Sequence, residues 1–164
     1  MRIWIAAVGT RPREGFEKLA RMYLDRIARL LPGAGGKVGM EAPIFRSEGA
    51  LWEAVGRERA RTAPLLVLLD ERGKSMGSEA FAAWLRHERD AGRQLVVFAV
   101  GPADGWAQSK EQRAQSSGVA RRSGDALLLS LGSMTMAHEL ARVVLCEQVY
   151  RALTILNGHP YHRV

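Results

Sequence analysis

Three short and almost wholly apolar runs dominate the second half of the chain: APLLVLLD at 63–70, RQLVVFAVG at 93–101 and DALLLSLG at 125–132. Runs of this length without polar alternation are typical of strands that are buried on both faces of a parallel sheet. An earlier run, RIWIAAV at 2–8, stops at Gly9 and predicts a further strand of the same kind. A chain with this pattern needs helices to cover both faces of its sheet.

Segments with helical spacing of apolar residues supply that cover. They are predicted at Glu14–Leu31, 47–62, 78–92 and Ala137–Leu156, and a polar helix is predicted at 107–117. The glycine-rich, basic stretch at 33–47 is predicted to be a loop around one short strand. Strands that alternate with helices indicate an α/β domain with a mostly parallel sheet flanked by helices. With 164 residues and no internal repeat or low-complexity linker, we expect a single domain over 1–164.

The charge balance points to a polyanionic partner. Lysine and arginine exceed acidic residues by seven, so nucleic acid is the first candidate, with a merely basic protein as the plain alternative. Cys146 is the only cysteine, which excludes an intramolecular disulfide and suits the reducing cytoplasm. No apolar run approaches the roughly 18 residues that cross a bilayer, so no membrane partner is expected.

The strand ends indicate where a ligand would bind, because ligands of parallel α/β sheets lie beyond the carboxyl ends of the strands. Three glycine-containing segments follow such ends: LLDERGK, VGPADGW and SLGSMTMAHE. Glycine allows close approach of backbone to ligand, so converging loops could wrap a molecule the size of adenosine. Apolar side chains would pack on its base: Leu69, Leu131, Met134 and Met136. No GxGxxG, P-loop, HExxH, CxxC pair or GxSxG occurs, and no metal site is predicted.

Several single residues have two readings. Asp70 is a candidate general base, but it could equally bond amides in its own turn. His138 lies near the start of a predicted helix, where the helix dipole disfavours a charged imidazole, and a structural role is the better reading. Arg142 and Arg151 lie among apolar positions of the last helix, where they could snorkel to solvent or enter an anion-binding cleft. In the terminal segment HPYHRV, the basic side chains could contact a phosphate and the tyrosine ring could stack on a base.

The segments AVGT, LLDERGK, VGPADG, LSLGSMTMAHELARVVLCEQVYRA and HPYHR together resemble the RlmH family, also called YbeA-like proteins, of SPOUT-class methyltransferases. The resemblance covers essentially the whole chain. It implies a C-terminal deep trefoil knot, a homodimer, and S-adenosylmethionine (S-adenosyl-L-methionine) as cofactor. It further implies N3-methylation of a pseudouridine in 23S ribosomal RNA of assembled ribosomes. In such a dimer the tail, disordered in the isolated chain, would reach the cofactor of the partner chain.

Site residues carry over from the resemblance by position. The cofactor positions are Leu69, Gly101, Gly105, Leu131, Gly132, Ser133, Met134, Thr135 and Met136. The positions for catalysis or RNA binding are Arg142, Tyr161, His162 and Arg163. Two departures stand out: Pro102 replaces a second glycine and removes a backbone donor, and Ala137 replaces a proline before the last helix.

Two other functions remain open at the level of sequence. The chain could be a non-enzymatic basic protein that binds ribosomes or RNA, in which case the glycine loops are only turns. It could also be a SPOUT methyltransferase that acts on another RNA, such as transfer RNA, because one fold serves many substrates.

Overall fold

A parallel sheet with helices on both faces forms the computed structural model of the chain, which describes residues 1–9, 12–31, 39–106 and 126–163. The strands are β1 (Arg2–Val8), β2 (Met40–Glu41), β3 (Ile44–Phe45), β4 (Leu65–Ser75), β5 (Leu95–Val100) and β6 (Ala126–Ser130). The helices are α1 (Glu14–Leu30), α2 (Glu48–Arg59), α3 (Ser78–Asp90) and α4 (His138–Leu156), followed by a 3₁₀ turn at Pro160–Arg163. The strand order is β2-β1-β5-β4-β6, β3 also pairs with β1, and all these pairings are parallel.

Two apolar cores, one on each face of the sheet, explain the continuous hydrophobic runs. Alternate residues of β1 point to opposite faces: Ile3 and Ile5 join the core under α1, α3 and α4, while Trp4 and Ala6 join the core under α2. All six residues of β5 are buried, since β5 lies in the middle of the sheet. A strand in that position has no solvent-facing side, and the polar alternation of a half-exposed strand is therefore absent.

The predicted strands and helices within the described ranges are confirmed, with two differences. β4 continues to Ser75 instead of ending near Asp70, and the loop predicted around one short strand contains the two short strands β2 and β3. The helix predicted over 107–117 lies outside the described residues. The predicted trefoil knot depends on the complete path of the C-terminal part, which includes residues 107–125, and these also lie outside them.

Helices α1 and α4 run side by side and are joined by polar contacts as well as apolar ones. The Glu139 carboxylate accepts hydrogen bonds from the backbone N–H of Arg13, at 2.6 Å, and from its Nε, at 2.8 Å. Arg13 is the N-cap residue of α1 and its own side chain makes no capping bond, so α4 caps α1. None of the helices in the described ranges is long and apolar enough to cross a membrane.

Candidate functional site at the carboxyl edge of the sheet

An open cavity of about 580 Å³ lies at the carboxyl ends of β4, β5 and β6. This volume is within the range of about 300–1,000 Å³ that is usual for small-molecule sites. The three segments predicted from the sequence do converge here. Eight of the nine predicted cofactor residues line the cavity: Leu69, Gly101, Gly105, Leu131, Gly132, Met134, Thr135 and Met136. Ser133 is exposed and is not among the lining residues.

The β4 wall of the cavity is an irregular strand. Leu69 and Lys74 both pair with Leu129 of β6, so the four residues between them bulge out of the ladder. Within the bulge Asp70 accepts hydrogen bonds from the backbone N–H and the guanidinium of Arg72, at 2.8–3.0 Å. Of the two readings for Asp70, the structure therefore favours bonding within its own turn. Gly73 allows β4 to resume its pairing with β6 after the bulge, because a Cβ there would lie 2.6 Å from the backbone of β6.

The wall after β5 is a glycine turn covered by an indole ring. The backbone N–H of Gly105 donates to the carbonyl of Pro102 at 2.9 Å, and Gly105 has a positive φ of 78°. Trp106 then folds back, is only 5% exposed, and donates its Nε1–H to the carbonyl of Leu69 at 2.9 Å. The carbonyl of Pro102 thus accepts the hydrogen bond of this turn, and the missing N–H of proline does not affect that bond. Trp106 is a cavity residue that the sequence reasoning missed; its place directly after the glycine turn was the available signal.

The wall after β6 combines backbone bonds with exposed apolar side chains. The Ser130 hydroxyl donates to the carbonyl of Gly132 at 2.8 Å and accepts from its N–H at 3.2 Å. Gly132 has a φ of 147°, which favours glycine, and a Cβ there would meet open space. Thr135 donates from Oγ1 to Glu71 at 3.0 Å and so ties this wall to the β4 bulge. Met134 is 80% exposed at the rim.

His138 closes the inner side of the cavity as the first residue of α4. Its ring lies against Gly9, where a Cβ would be 3.7 Å from Cε1, and its Nε2 is buried without a hydrogen-bond partner in the part of the chain that the structure describes. Burial lowers the pKa of this imidazole, and a hydrogen bond with the backbone of Val8 opposes the shift only in part. The ring is therefore neutral near pH 7, in line with the structural role expected for it. The helix begins here with Ala137 as N-cap residue and without a capping side chain.

Arg142 lies one turn further along α4 and contacts α1. It is 2% exposed and donates from Nη1 to Glu17 of α1 at 2.7 Å. Its Nε is buried and has no acceptor among the described residues. Arg142 neither snorkels to solvent nor lines the cavity.

The tail contacts the far half of α4. Tyr161 packs edge-on against Tyr150 at a centroid distance of 4.7 Å, and its hydroxyl donates to Oε1 of Glu147 at 3.3 Å. The guanidinium of Arg151, bonded to Glu147, lies 5.1 Å from the centre of the Tyr161 ring. Burial, a hydrogen bond with Tyr23 and the charge of Glu147 raise the pKa of Tyr161, so its hydroxyl stays protonated.

The structure therefore divides the predicted catalytic set. Tyr161 lies with Arg151 on the far half of α4, and Arg142 lies in the α1–α4 interface. For His162 and Arg163 the structure describes only the backbone, within the 3₁₀ turn. The tail was expected to be disordered in the isolated chain; instead, residues 160–163 form this turn and Tyr161 is docked on its own chain.

The cavity suits an uncharged or cationic organic ligand with a flat apolar part. Asp70, Glu71 and Asp104 supply carboxylates, Arg72 is already paired with Asp70, and the remaining lining is largely glycine and apolar side chains. No group of three or more potential metal ligands occurs in the described parts of the chain.

Comparison with known proteins gives full-length matches. A family model described as "Predicted SPOUT methyltransferase" matches residues 1–162. The chain is 42% identical over 162 residues to Ribosomal RNA large subunit methyltransferase H of Koribacter versatilis, which covers 99% of this chain and 98% of the relative. A protein of the same name from Sinorhizobium medicae is 43% identical over 171 residues, with 99% of each chain covered.

Among solved structures, the chain is similar to the SpoU methyltransferase AviRb from Streptomyces viridochromogenes. The TM-score is 0.45 at 14% sequence identity, and the match covers 96% of this chain. The chain spans 61% of the length of that structure.

Proposed function

The chain belongs to the SPOUT methyltransferase family, and on that premise we propose that it transfers a methyl group from S-adenosylmethionine to large-subunit ribosomal RNA. The observation that carries the proposal is the 42% identity, over 99% of this chain, to a relative named as an rRNA large-subunit methyltransferase. Because the relative is also covered over 98% of its length, no separate catalytic domain of that protein lies outside the match.

The cavity fits this cofactor in size and charge. S-adenosylmethionine supplies, when bound, a methyl group that is already activated on a positively charged sulfonium. The carboxylates of Glu71 and Asp104 lie in the lining and favour a cationic ligand. His138 contributes no opposing charge, since burial keeps its imidazole neutral. The open space at Gly105 and Gly132 lets the ligand approach the backbone closely.

We assign cofactor binding to the residues of the three converging segments. The backbone after β5 and β6 would bond polar groups of the cofactor, and the apolar side chains would pack on its adenine ring. The set is Leu69, Gly101, Gly105, Leu131, Gly132, Ser133, Met134, Thr135 and Met136. Ser133 stands apart, because it is exposed and is not among the residues that line the cavity.

The finer proposal is that the acceptor is N3 of a pseudouridine in 23S RNA within assembled ribosomes, which places the protein in the cytoplasm. N3 carries a proton that must leave before the nitrogen is a good nucleophile, so the protein's tasks are positioning and stabilisation of negative charge on the ring. Arg163 would supply positive charge, His162 would accept the proton, and Tyr161 would stack on a base. Arg142, buried against Glu17, would be a positioning residue that holds α4 in place.

The position of the tail supports the proposal of a homodimer. Glu147 lies nine residues after His138, so Tyr161, which contacts it, lies roughly 14 Å along the helix from the cavity of its own chain. From this position the tail could contact the cavity of a second copy of the chain more readily than the cavity of its own chain. Leu19, Met22 and Leu140, which are exposed on α1 and α4, are the apolar side chains that such a partner would cover. The C-terminal trefoil knot of the family forms part of the same proposal.

The decisive experiment is methyl transfer from labelled S-adenosylmethionine to ribosomes, large subunits, naked ribosomal RNA and transfer RNA, all from a strain that lacks the protein. We expect label at one pseudouridine of assembled ribosomes. Arg163→Ala should lower the transfer rate, and Arg29→Ala, at an exposed position of α1, is the matched control. Binding of S-adenosylhomocysteine at 100 times its Kd should stabilise the protein by about 2.7 kcal/mol.

The other outcomes separate the alternatives. Label on transfer RNA alone would keep the cofactor and replace the substrate. The absence of both methyl label and cofactor binding would contradict the proposal. The chain would then be a non-enzymatic basic protein that binds ribosomes, although full-length similarity to methyltransferases weighs against that function.

A further inference from the structure

The amino edge of the sheet, opposite the cavity, collects arginines from three parts of the chain. They come from the start of β1, the end of α2 with the turn after it, and the end of α3 with the turn before β5. Two contacts hold these parts together: Arg2 pairs with Glu58, and Nη1 of Arg93 donates to the carbonyl of Ala63 at 3.4 Å. We call this set the arginine edge: Arg2, Arg57, Arg59, Arg61, Arg86, Arg89 and Arg93.

The arginine edge carries more positive charge than its own carboxylates neutralise. Four carboxylates of the described residues pair with members of this set of seven arginines. Glu41 and Glu58 pair with Arg2, Glu88 with Arg93 and Asp90 with Arg89. The guanidinium groups of three exposed arginines have no ion-pair partner within the described ranges: Arg57, Arg61 and Arg86.

Stabilisation of helix ends explains only part of this arrangement. The carbonyl ends of α2 and α3 meet at this edge, and cations in a last turn are favourable there. Arg61 and Arg93, however, lie beyond the helices, in the turns that lead to β4 and β5. The effect of the helix dipole falls off within the last turn, so it does not account for cations at these two positions.

The chemistry of the edge selects phosphate groups of RNA as its ligand. All the basic side chains that define it are arginines, whose planar guanidinium matches phosphate oxygens in pairs. An anionic membrane would attract the same charge, but stable surface binding also requires large apolar side chains that insert among the lipids. The exposed large apolar side chains of the described residues lie elsewhere: Leu19, Met22, Ile44, Leu128, Met134 and Leu140.

The position of the edge separates it from the cavity. β5, with six residues, spans about 20 Å between the two edges of the sheet. A nucleotide held at the cavity cannot reach the arginine edge, but a large folded RNA can contact both. We propose that the arginine edge is a second RNA-binding surface, which holds phosphates of the substrate RNA while the cavity receives the target base. The identity of that RNA as ribosomal and the delivery of a target base to the cavity rest on the proposed function.

The test is the triple variant Arg57→Gln/Arg61→Gln/Arg86→Gln, compared with the wild type by co-sedimentation with ribosomes over a series of salt concentrations. The slope of log affinity against log salt should become shallower by about one for each arginine that contacts a phosphate. We expect the apparent KM for ribosomes to rise about tenfold, as the loss of phosphate contacts weakens binding. The kcat at saturating ribosomes, the affinity for S-adenosylmethionine and the Tm should stay unchanged.

The matched control is Lys18→Gln/Arg21→Gln/Arg46→Gln, which removes three exposed cations from the first half of α1 and from the turn after β3. An equal loss of binding in the control would overturn the proposal, because net charge alone would then be the cause. An unchanged salt slope in the triple variant, or loss of binding to phosphatidylserine vesicles but not to ribosomes, would also overturn it. If the wild type binds ribosomes without methylating them, the proposed function fails while co-sedimentation still decides the role of the edge.

Discussion

Gly101 and Trp106 show how one missing side chain shapes the cavity. The indole of Trp106 lies directly over Gly101, and a Cβ at that glycine would be 2.8 Å from Cε2 of the ring. The ring has little room to move, because it is buried, packs against the tilted ring of Trp52 at a centroid distance of 5.8 Å and donates to the carbonyl of Leu69. Gly101 is therefore required here for close packing and not for an unusual backbone conformation.

Gly101→Ala should destabilise the protein by about 1–3 kcal/mol through overpacking and should weaken S-adenosylmethionine binding, because Trp106 must shift. Urea unfolding and ligand titration measure the two effects. Gly56→Ala, at a helical glycine whose Cβ meets nothing within 4 Å, is the control and should stabilise by about 0.5–1 kcal/mol. Unchanged stability of Gly101→Ala would mean that the indole is free to move.

His138 predicts a pH dependence of stability. Its pKa in the folded protein is lowered from 6.5 by burial, so below that pH the unfolded chain binds more protons than the native state. Stability contributed by His138 is complete above pH 6.5 and is lost as the pH falls toward the folded pKa. Thermal unfolding between pH 7.5 and 5 should therefore show a smaller decline for His138→Gln than for the wild type.

His87, exposed on α3, provides the matched control for this measurement. His87→Gln should retain the wild-type decline in Tm. Identical profiles for wild type and His138→Gln would show that the buried imidazole is not the titrating group.

At the scale of elements, the pairing of α1 with α4 depends on charged residues from both helices. Glu139 caps the first turn of α1, and Arg142 reaches Glu17 one turn later. The capping bonds from Arg13 also lower the pKa of Glu139, so the carboxylate is ionised at neutral pH. Helical periodicity predicted both helices, but it contains no information on which charged residues of distant segments would meet.

Arg142→Met should destabilise the protein by roughly 1.5–3 kcal/mol, because it removes the charged hydrogen bond to Glu17, whose carboxylate keeps only the longer contact with Arg21 at 3.7 Å. The double variant Glu17→Leu/Arg142→Met should recover most of this stability, since replacing both charges of a buried pair is often neutral. Urea unfolding of the wild type, both single variants and the double variant gives the coupling free energy between the side chains of Glu17 and Arg142.

Methyl transfer by the same variants separates two roles for Arg142. If Arg142 only positions α4, the double variant should regain activity together with stability. Activity that stays lost in a stable double variant would instead mean that the guanidinium itself contacts RNA, as the sequence resemblance implies.

At the scale of the whole molecule, the separation between tail and cavity leads to a prediction about assembly. Leu19→Glu/Leu140→Glu places charges on the exposed apolar positions of α1 and α4, and we expect it to convert a dimer into monomers that have lost methyl transfer. Light scattering after size exclusion measures the mass. Leu128→Glu, at an exposed leucine of β6, should leave the mass unchanged; a monomeric wild type would contradict the prediction.

The sequence alone determined the class of fold and the region of the site. Strands such as 95–100 could be read directly, because burial on both faces leaves an unbroken apolar run. The cavity at their carboxyl ends followed from the general geometry of parallel sheets, and the family followed from motifs that span the chain.

Only the tertiary structure decided what individual side chains do. Asp70 accepts a hydrogen bond from Arg72 within its own turn, and Trp106 lies over Gly101. Arg142 is buried against Glu17, and Tyr161 packs beside Arg151. Some of these contacts join residues far apart in the sequence, such as Arg142 and Glu17, which are 125 residues apart. Periodicity and local propensity describe how a segment buries its own surface, whereas the partner of a polar side chain is set by the segments that packing brings beside it.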